Sequence, residues 1–339
     1  MSEVNNILLV KPYTFDVEGS RLKLTAKQYT SEACDVNGLT LLFAHCIGSH
    51  KEQWEPTILR IIQLQAQEEK CNRIREAWSF DWQSHGDAAV LNEKILETLD
   101  NAVITEEWAS ALESVVKSPL LHNHRMVAIG HSAGASTVML AMKGFLPQQS
   151  PYKAVFLVEP TMLSPEVYDA EARKLYDYVS STKEHTLNRR DVWESKEIAL
   201  EWLGSRMPWK AWDPRVLKLY VEHGLILVES SNGKVATLKC SKRLEGITYP
   251  HFTAVVEATK LFHERCHTLP IHVIFGMKTD YVPAHIQESL VDTSRGRIPA
   301  SVTRVPGAGH QIVQEQPDAL ASAICSNLHF SPPQSRSRL

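Results

Sequence analysis

The sequence lacks any hydrophobic run of the roughly 18 residues that a membrane-spanning helix needs. It also lacks an excess of basic residues, because 36 Lys and Arg stand against 39 Asp and Glu and the net charge is -3. This charge favours neither nucleic acid nor an anionic membrane as a partner. Six cysteines are scattered without a Cys-x-x-Cys pair, and the first residues show no basic stretch followed by a long apolar run. These absences favour a reducing, intracellular setting and no transmembrane segment.

Nucleotide and metal signatures are missing as well. The chain contains neither a G-x-x-x-x-G-K-[ST] loop nor a G-x-G-x-x-G run, so we expect no nucleotide cofactor. His263 and His267 are four residues apart on a predicted helix that also carries Cys266, but the sequence offers no fourth ligand beside them. We therefore expect no cofactor and no bound metal.

Six short apolar segments alternate with helical patterns along the 339 residues, of which 43% are hydrophobic. Several of these segments are apolar on both faces, which is typical of strands that are covered on both sides. The predicted strands span 39–45, 73–82, 124–130, 153–159, 269–276 and 300–307. This alternation predicts an α/β fold with a mostly parallel, doubly wound sheet. Ligands bind such sheets at the carboxyl ends of the strands.

One long segment, 161–265, interrupts the alternation and is mainly helical in pattern. Because it lies between two predicted strands of the sheet, we interpret it as a cap inserted over the strand ends. The prediction is therefore one domain with a core formed by 1–160 and 266–330 and an inserted cap over 161–265. A Pro/Ser/Arg-rich tail follows over 331–339 and has nothing apolar to bury.

The stretch AIGHSAGAS contains a glycine-x-serine-x-glycine pattern. Gly130, Ser132 and Gly134 follow the predicted strand 124–130 and precede an apolar helical run. In this context a sharp strand-to-helix turn lifts the serine above the edge of the sheet where ligands bind. Ser132 is therefore the predicted nucleophile.

A serine nucleophile needs a base and an acid, and with this turn both follow the serine in the chain. His310 lies in a glycine-rich loop directly after the last predicted strand and is the predicted base. Two carboxylates end strands, Asp280 after 269–276 and Glu159 at the end of 153–159. Asp280 is slightly preferred because it lies where the acid usually lies, but the sequence leaves both open.

Two backbone N–H groups are expected to bind the oxyanion that forms when a serine attacks an acyl carbon. One is the N–H of Ala133, the residue after the nucleophile. The other comes from the loop HCIG (45–48), in which Ile47 has the position of the second donor. Cys46 stands where glycine is the commoner residue and places a side chain beside the expected oxyanion hole.

The chain ends in Ser337-Arg338-Leu339. This tripeptide resembles the Ser-Lys-Leu type of peroxisomal address with Arg in place of Lys, which an import receptor reads as a free C-terminus. We therefore expect the protein in the peroxisomal matrix, with the import receptor as a partner.

Several stretches together resemble the fungal peroxisomal α/β-hydrolases of secondary metabolism, a group that includes toxin-biosynthesis hydrolases and the acyl-CoA hydrolase of mycophenolic acid biosynthesis. In chain order these stretches are FAHCIGSHKEQWEP, DWQSHGDAAVLN, AIGHSAGAS, VEPTMLSP, RRDVWESKEIALEW, WDPRVLKLYVEHGL, LPIHVIFG and VPGAGHQIVQEQP. Two runs are specific beyond the general fold, SHGD (84–87) and WDPRVL (212–217).

The resemblance implies an α/β-hydrolase fold with an inserted, mainly helical cap and an activity on an ester or thioester. The resemblance also implies that Ser132 is the nucleophile and His310 the base. It also keeps Glu159 as a candidate acid, because some relatives lack an aspartate at the position of Asp280.

The predicted function is that of a serine hydrolase that cleaves an acyl-CoA thioester, or an ester, of a secondary-metabolite intermediate through an acyl-enzyme. One alternative is an acyltransferase or cyclase, in which another nucleophile replaces water. A second alternative, from a different class, is a ligand-binding protein on a hydrolase scaffold, because a fold alone does not establish catalysis.

Overall fold

A computed structural model describes residues 8–70, 72–99, 101, 103–231, 233–249 and 252–330. The strands in this part are β1 (Leu9–Asp16), β2 (Lys23–Thr30), β3 (Leu39–Ala44), β4 (Ile74–Asp81), β5 (Arg125–His131), β6 (Tyr152–Val158), β7 (Val192–Trp193), β8 (Leu225–Ser230), β9 (Gly233–Leu238), β10 (Ile271–Gly276) and β11 (Ser301–Val305). The α-helices are α1 (Glu55–Gln65), α2 (Gly86–Leu91), α3 (Glu93–Leu96), α4 (Thr105–Val116), α5 (Ala133–Ala141), α6 (Pro165–Asn188), α7 (Lys196–Gly204), α8 (Pro214–Gly224), α9 (Lys242–Thr248), α10 (Phe252–Arg265), α11 (Ala284–Leu290), α12 (Ile312–Glu315) and α13 (Pro317–Cys325).

One large sheet organises the molecule, with the strand order β1-β2-β4-β3-β5-β6-β10-β11. The pairs β1–β2 and β2–β4 are antiparallel, and the other neighbours run parallel. The six predicted strands are present as β3, β4, β5, β6, β10 and β11. The predicted α/β fold with a mostly parallel sheet is therefore confirmed.

Apolar side chains cover both faces of this sheet. Along β3, Leu42 lies in one apolar layer and its neighbour Phe43 lies in the other, because successive side chains of a strand point to opposite faces. The first layer includes Trp108 of α4 and Val138 of α5, and the second includes Ile58 of α1. Both faces are thus buried, which explains why the central strands are apolar throughout.

The register of the parallel strands brings their carboxyl ends to a common edge. Gly130 near the end of β5 pairs with Ala44 at the end of β3 and with Leu157 in β6. Farther along the sheet, Gly276 at the end of β10 pairs with Val305 at the end of β11. The loops that follow β3, β5, β6, β10 and β11 therefore begin at one edge of the sheet.

The segment between β6 and β10 contains the helices α6 to α10 and also a three-stranded antiparallel sheet of order β7-β9-β8, which the sequence analysis did not predict. The cap has an apolar cluster of its own, which includes Trp193, Trp212 and Tyr220. Its last helix, α10, instead contributes Phe262 to the apolar layer that contains Val138 of α5. The structure thus places α10 with the core, while the division of the chain into core and cap stays a prediction.

Three further findings concern the described part of the chain alone. Its free thiols are those of Cys34, Cys46, Cys240, Cys266 and Cys325. None of its helices combines the length and apolar character that crossing a bilayer requires. It contains no group of three or more His, Cys, Asp or Glu side chains arranged to hold a metal ion.

Candidate active site

Ser132 forms the turn between β5 and α5, with φ of 55° and ψ of -117°. A positive φ is uncommon for a residue other than glycine, and this conformation turns the chain sharply from strand into helix. The two flanking glycines allow close packing: a Cβ at Gly130 would lie 2.3 Å from the carbonyl oxygen of Gly134, and one at Gly134 would lie 2.4 Å from that of Ala44. The Ser132 N–H donates to the carbonyl of Val158 on β6 at 2.9 Å. The G-x-S-x-G pattern therefore has a steric reason here.

His310 contacts the serine. Its Nε2 lies 3.0 Å from Ser132 Oγ, and both residues are buried, with relative exposures of 9% and 7%. The backbone of His310 is held at both ends, because its N–H donates to Asp280 Oδ1 at 2.8 Å and its carbonyl accepts from His131 Nε2 at 2.8 Å. The Tyr281 ring stacks on the imidazole with centroids 4.3 Å apart and an interplanar angle of 20°. These contacts fix the orientation of the ring.

The acid beside the imidazole is Glu159. Its Oε2 lies 3.1 Å from His310 Nδ1, while its Oε1 accepts the N–H of Gly276 at 2.6 Å. Glu159 is 1% exposed and has a φ of 43°, and its N–H donates to the carbonyl of Ile274. Asp280 is exposed and binds the N–H of His310 rather than its ring. The slight preference for Asp280 as the partner of the imidazole is thus corrected, because the loop after β10 places this carboxylate against backbone.

His131 is a residue of the site that the sequence analysis missed. Burial and, to a smaller extent, the electrostatic effect of the nearby His310 lower the pKa of the His131 imidazole to about 3. His131 therefore stays neutral, with the proton on the Nε2 that donates to the carbonyl of His310. The only hint in the sequence was that His131 directly precedes the predicted nucleophile.

The two predicted oxyanion donors lie on loops at the same edge of the sheet. Ala133 is the first residue of α5, where backbone N–H groups have no intrahelical acceptor and the helix dipole favours negative charge. Ile47 lies in a turn closed by the N–H of Ser49, which donates to the carbonyl of Cys46 at 3.3 Å, and Gly48 has a φ of 75°. Within the described residues, neither the Ile47 nor the Ala133 N–H has an acceptor.

The thiol of Cys46 lies beside this turn. Burial raises its pKa to about 12, so the sulfur stays protonated at neutral pH. The side-chain Nε2 of Gln314 lies 3.9 Å from the Cys46 Sγ.

The two motifs that are specific beyond the fold both contact this site. In WDPRVL, Trp212 Nε1 donates to Gln311 Oε1 at 2.7 Å, and the Asp213 N–H donates to the carbonyl of Gln314 at 2.8 Å. Residues of the predicted cap therefore contact the segment that directly follows His310. In SHGD, His85 Nε2 accepts the N–H of Gly48 at 3.1 Å. The sequence analysis had singled out both motifs without assigning them a role.

The remaining predicted site residues belong to the address at the C-terminus. Ser337, Arg338 and Leu339 lie outside the described residues.

Several solved structures share this fold at low sequence identity. The peroxisomal α/β-hydrolase Lpx1 from Saccharomyces cerevisiae superposes with a TM-score of 0.73 and 18% identity, covering 98% of this chain and 92% of that one. E-2-(acetamidomethylene)succinate hydrolase gives a TM-score of 0.65 and 18% identity, with 93% of this chain and 98% of that one covered. A thioesterase domain from the curacin biosynthetic pathway gives 0.64 and 14% identity, with 93% and 99% covered. These similarities establish the fold.

Direct comparison with curated protein sequences gives no significant match. The sequence model of the α/β hydrolase family, in contrast, matches residues 41–323, a range that includes Ser132, Glu159 and His310. The chain therefore belongs to the α/β hydrolase family.

Proposed function

We propose that this hydrolase cleaves acyl esters or thioesters with Ser132 as nucleophile, His310 as general base and Glu159 as the acid that orients the base. The observation that carries the proposal is the continuous hydrogen-bonded chain from Ser132 Oγ to His310 Nε2 (3.0 Å) and from His310 Nδ1 to Glu159 Oε2 (3.1 Å). A nucleophile, a base within hydrogen-bond reach and a group that orients the base are the geometric requirements of such catalysis.

The first chemical step follows from these positions. His310 Nε2 takes the proton of the Ser132 hydroxyl while Oγ forms a bond to the acyl carbon. The carbonyl electron pair moves to oxygen, where the N–H groups of Ile47 and Ala133 stabilise it. When the tetrahedral intermediate collapses, the bond to the leaving thiol or alcohol breaks, and His310 returns the proton to the leaving group.

The second step releases the acyl group. Water, deprotonated by His310, attacks the acyl carbon of the acyl-enzyme, and the same two N–H groups stabilise the second tetrahedral intermediate. When this intermediate collapses, His310 returns the proton to Ser132 Oγ and the carboxylic acid is released. Glu159 keeps the Nδ1 proton of His310 in place and stabilises the imidazolium that forms in each step. Its burial strengthens this interaction, because there is little water around the pair to screen it.

For the substrate class we propose an acyl-CoA thioester, or an ester, of a secondary-metabolite intermediate. Three observations support this: the resemblance of the quoted motifs to fungal hydrolases of that metabolism, the C-terminal Ser337-Arg338-Leu339, and fold similarity to a peroxisomal hydrolase and to a thioesterase domain. Peroxisomal localisation, with the import receptor as partner, is part of the same proposal. Deletion of the tripeptide should leave the purified enzyme active but abolish import; unchanged import would refute the address.

The experiment that tests the chemistry uses medium- and long-chain acyl-CoAs and simple aryl esters with purified protein, following free thiol and free acid. Ser132→Ala should lower turnover by about 10³-fold or more, because the nucleophile is lost. Ser136→Ala is the matched control, since Ser136 lies on the same helix and its buried hydroxyl has no hydrogen-bond partner in the described structure. Turnover that survives Ser132→Ala would overturn the nucleophile, and inertness toward all thioesters would restrict the proposal to esters.

A further inference from the structure

The turn that carries Ile47 is held by an imidazole from the SHGD motif. Gly48 donates its N–H to His85 Nε2 at 3.1 Å. Since Nε2 accepts, the proton of the imidazole lies on Nδ1, which donates to Ser84 Oγ at 3.1 Å. The hydrogen bond to Gly48 thus requires the neutral form of His85 with this one tautomer.

The surroundings of His85 keep it neutral and fixed. The residue is fully buried, and burial, together with the charges of His45 and Arg189, lowers its pKa well below 6.5. Its ring stacks on Trp82 with centroids 5.2 Å apart, and Trp82 in turn stacks on Trp108 at 4.6 Å. The imidazole therefore stays uncharged near neutral pH, and the stacked rings leave it no room to rotate.

The next residue is Gly86, and glycine is the only residue type that fits at this position. It has a φ of 52°, and a Cβ there would lie 2.3 Å from Asp81 Oδ1. Asp81 also accepts the N–H of Asp87 at 2.9 Å and the side chain of Lys51 at 2.6 Å. The SHGD backbone is thus bound to a buried ion pair, which fixes the position of His85 relative to the turn.

The geometry of the turn connects His85 with the proposed oxyanion donor. Peptide units are planar, so fixing one end of a unit fixes the other. The unit that carries the Ile47 N–H is held at its Cys46 carbonyl, which accepts from His45 Nδ1 at 2.6 Å and from the Ser49 N–H. The following unit is held at its Gly48 N–H by His85. Ile47 therefore lies between two fixed peptide units, and His85 holds the second of them.

We propose that His85 is a positioning residue, which holds the turn that presents the Ile47 N–H to the oxyanion by fixing the next peptide unit, Ile47–Gly48, at its Gly48 N–H. This inference rests on the proposed function, because it assigns a role to His85 only if an oxyanion forms at Ser132. His85 itself does not touch the substrate in this account, and it acts through the backbone.

The test compares His85→Phe, which fills the space with a ring that cannot accept a hydrogen bond, with His85→Gln, whose Oε1 can accept from Gly48. We expect His85→Phe to lower kcat about 10- to 100-fold with little change in KM. The affinity of a transition-state analogue, an aryl trifluoromethyl ketone, should fall by the same factor, while the affinity of a non-reactive substrate analogue should not. His85→Gln should recover most of the loss.

Two controls separate the possible failures. His272→Phe removes another buried imidazole, which binds Ser301 Oγ near the far end of β10, and it should leave kcat unchanged. Activity that survives Ser132→Ala would refute the proposed function itself. Wild-type kcat and analogue affinity in folded His85→Phe would overturn only the role of His85.

Folding of the variants is checked by thermal unfolding and by stoichiometric labelling of Ser132 with a fluorophosphonate. Where His85→Phe does not fold, His85→Met replaces it, because Met is similar in length and lacks a strong acceptor. Failure of both variants to fold, with His85→Gln folded and active, would show that His85 serves stability and would overturn the proposal.

Discussion

Two carboxylates serve His310 in different ways. Glu159 binds the ring at Nδ1 and is 1% exposed, whereas Asp280 binds the backbone N–H and is exposed to solvent. A carboxylate that stabilises an imidazolium acts most strongly where water does not screen it. At the scale of single residues, Glu159 is therefore the proposed acid of the site, and Asp280 binds the backbone of the loop that carries His310.

This difference predicts unequal effects of two matched substitutions. Glu159→Gln should lower kcat by about 10²- to 10⁴-fold, because an amide does not stabilise the imidazolium and favours the wrong tautomer. Asp280→Asn should cost less than about tenfold, since the amide oxygen can still accept the His310 N–H. Steady-state kinetics on the best thioester or ester provides the measurement. A larger loss in Asp280→Asn than in Glu159→Gln would contradict the assignment.

The sequence pointed to Ser132 and His310, which the structure brings into contact, but it did not point to the carboxylate that binds the imidazole. Ser132 and His310 could be found because chain order and the positions after strands determine them. The acid depends instead on the backbone of Glu159, whose φ of 43° directs its carboxylate under the imidazole. No local sequence pattern specifies that conformation, so the sequence left both strand-end carboxylates open, with a slight preference for Asp280.

At the scale of elements, the segment before α8 forms hydrogen bonds with the segment that follows His310. Trp212 and Asp213 lie directly before α8 and bind Gln311 and Gln314, which flank the start of α12. Replacing an indole whose N–H is hydrogen-bonded removes that bond and leaves the acceptor without its partner, whereas replacing an indole without a partner breaks no hydrogen bond.

We expect Trp212→Phe to lower the free energy of unfolding by about 1–2 kcal/mol more than Trp193→Phe. Trp193 is the matched control, because it lies in the same apolar cluster and its Nε1 has no hydrogen-bond partner in the described structure. Urea unfolding of both variants measures the difference. Equal losses would mean that the bond to Gln311 contributes no net stability.

The elements that the sequence predicted differ physically from those it missed. The strands β3, β4, β5, β6, β10 and β11 are recognisable as apolar runs, because most of them are buried on both faces. The strands β1 and β8 are largely exposed, and they form because β2 and β9 pair with them. Pairing of this kind left β1 without a clear strand signal, whereas β8 begins with the apolar run 225–228, which the sequence analysis did not recognise as a strand.

At the scale of the whole molecule, several buried histidines stay neutral. Burial lowers the pKa of His45 and of His272 to about 4 and that of His131 to about 3. In the unfolded chain these imidazoles titrate near 6.5, so on acidification the unfolded state binds protons that the folded state does not. Stability is therefore complete above pH 6.5 and is lost as the pH falls from 6.5 toward 4.

Each such histidine contributes a slope of about 1.4 kcal/mol per pH unit well inside this window. We expect His272→Phe to make the loss of stability between pH 6 and pH 4.5 less steep by about one such slope. His122→Gln is the control, because His122 is exposed, and it should leave the slope unchanged. Urea unfolding across this pH range is the measurement, and an unaltered slope in His272→Phe would show that this imidazole is protonated in the folded state.

The turn around Ile47 has a consequence for the end of the reaction. Neutral imidazoles hold it, and the proposed oxyanion donors of this turn and of α5 are backbone N–H groups without a formal positive charge. Such dipoles suit an oxygen whose negative charge exists only in passing, and they attract the carboxylate of the finished acid less than an arginine or a metal ion would. We therefore expect such an enzyme to release its carboxylic acid product readily and to be inhibited only weakly when that acid accumulates.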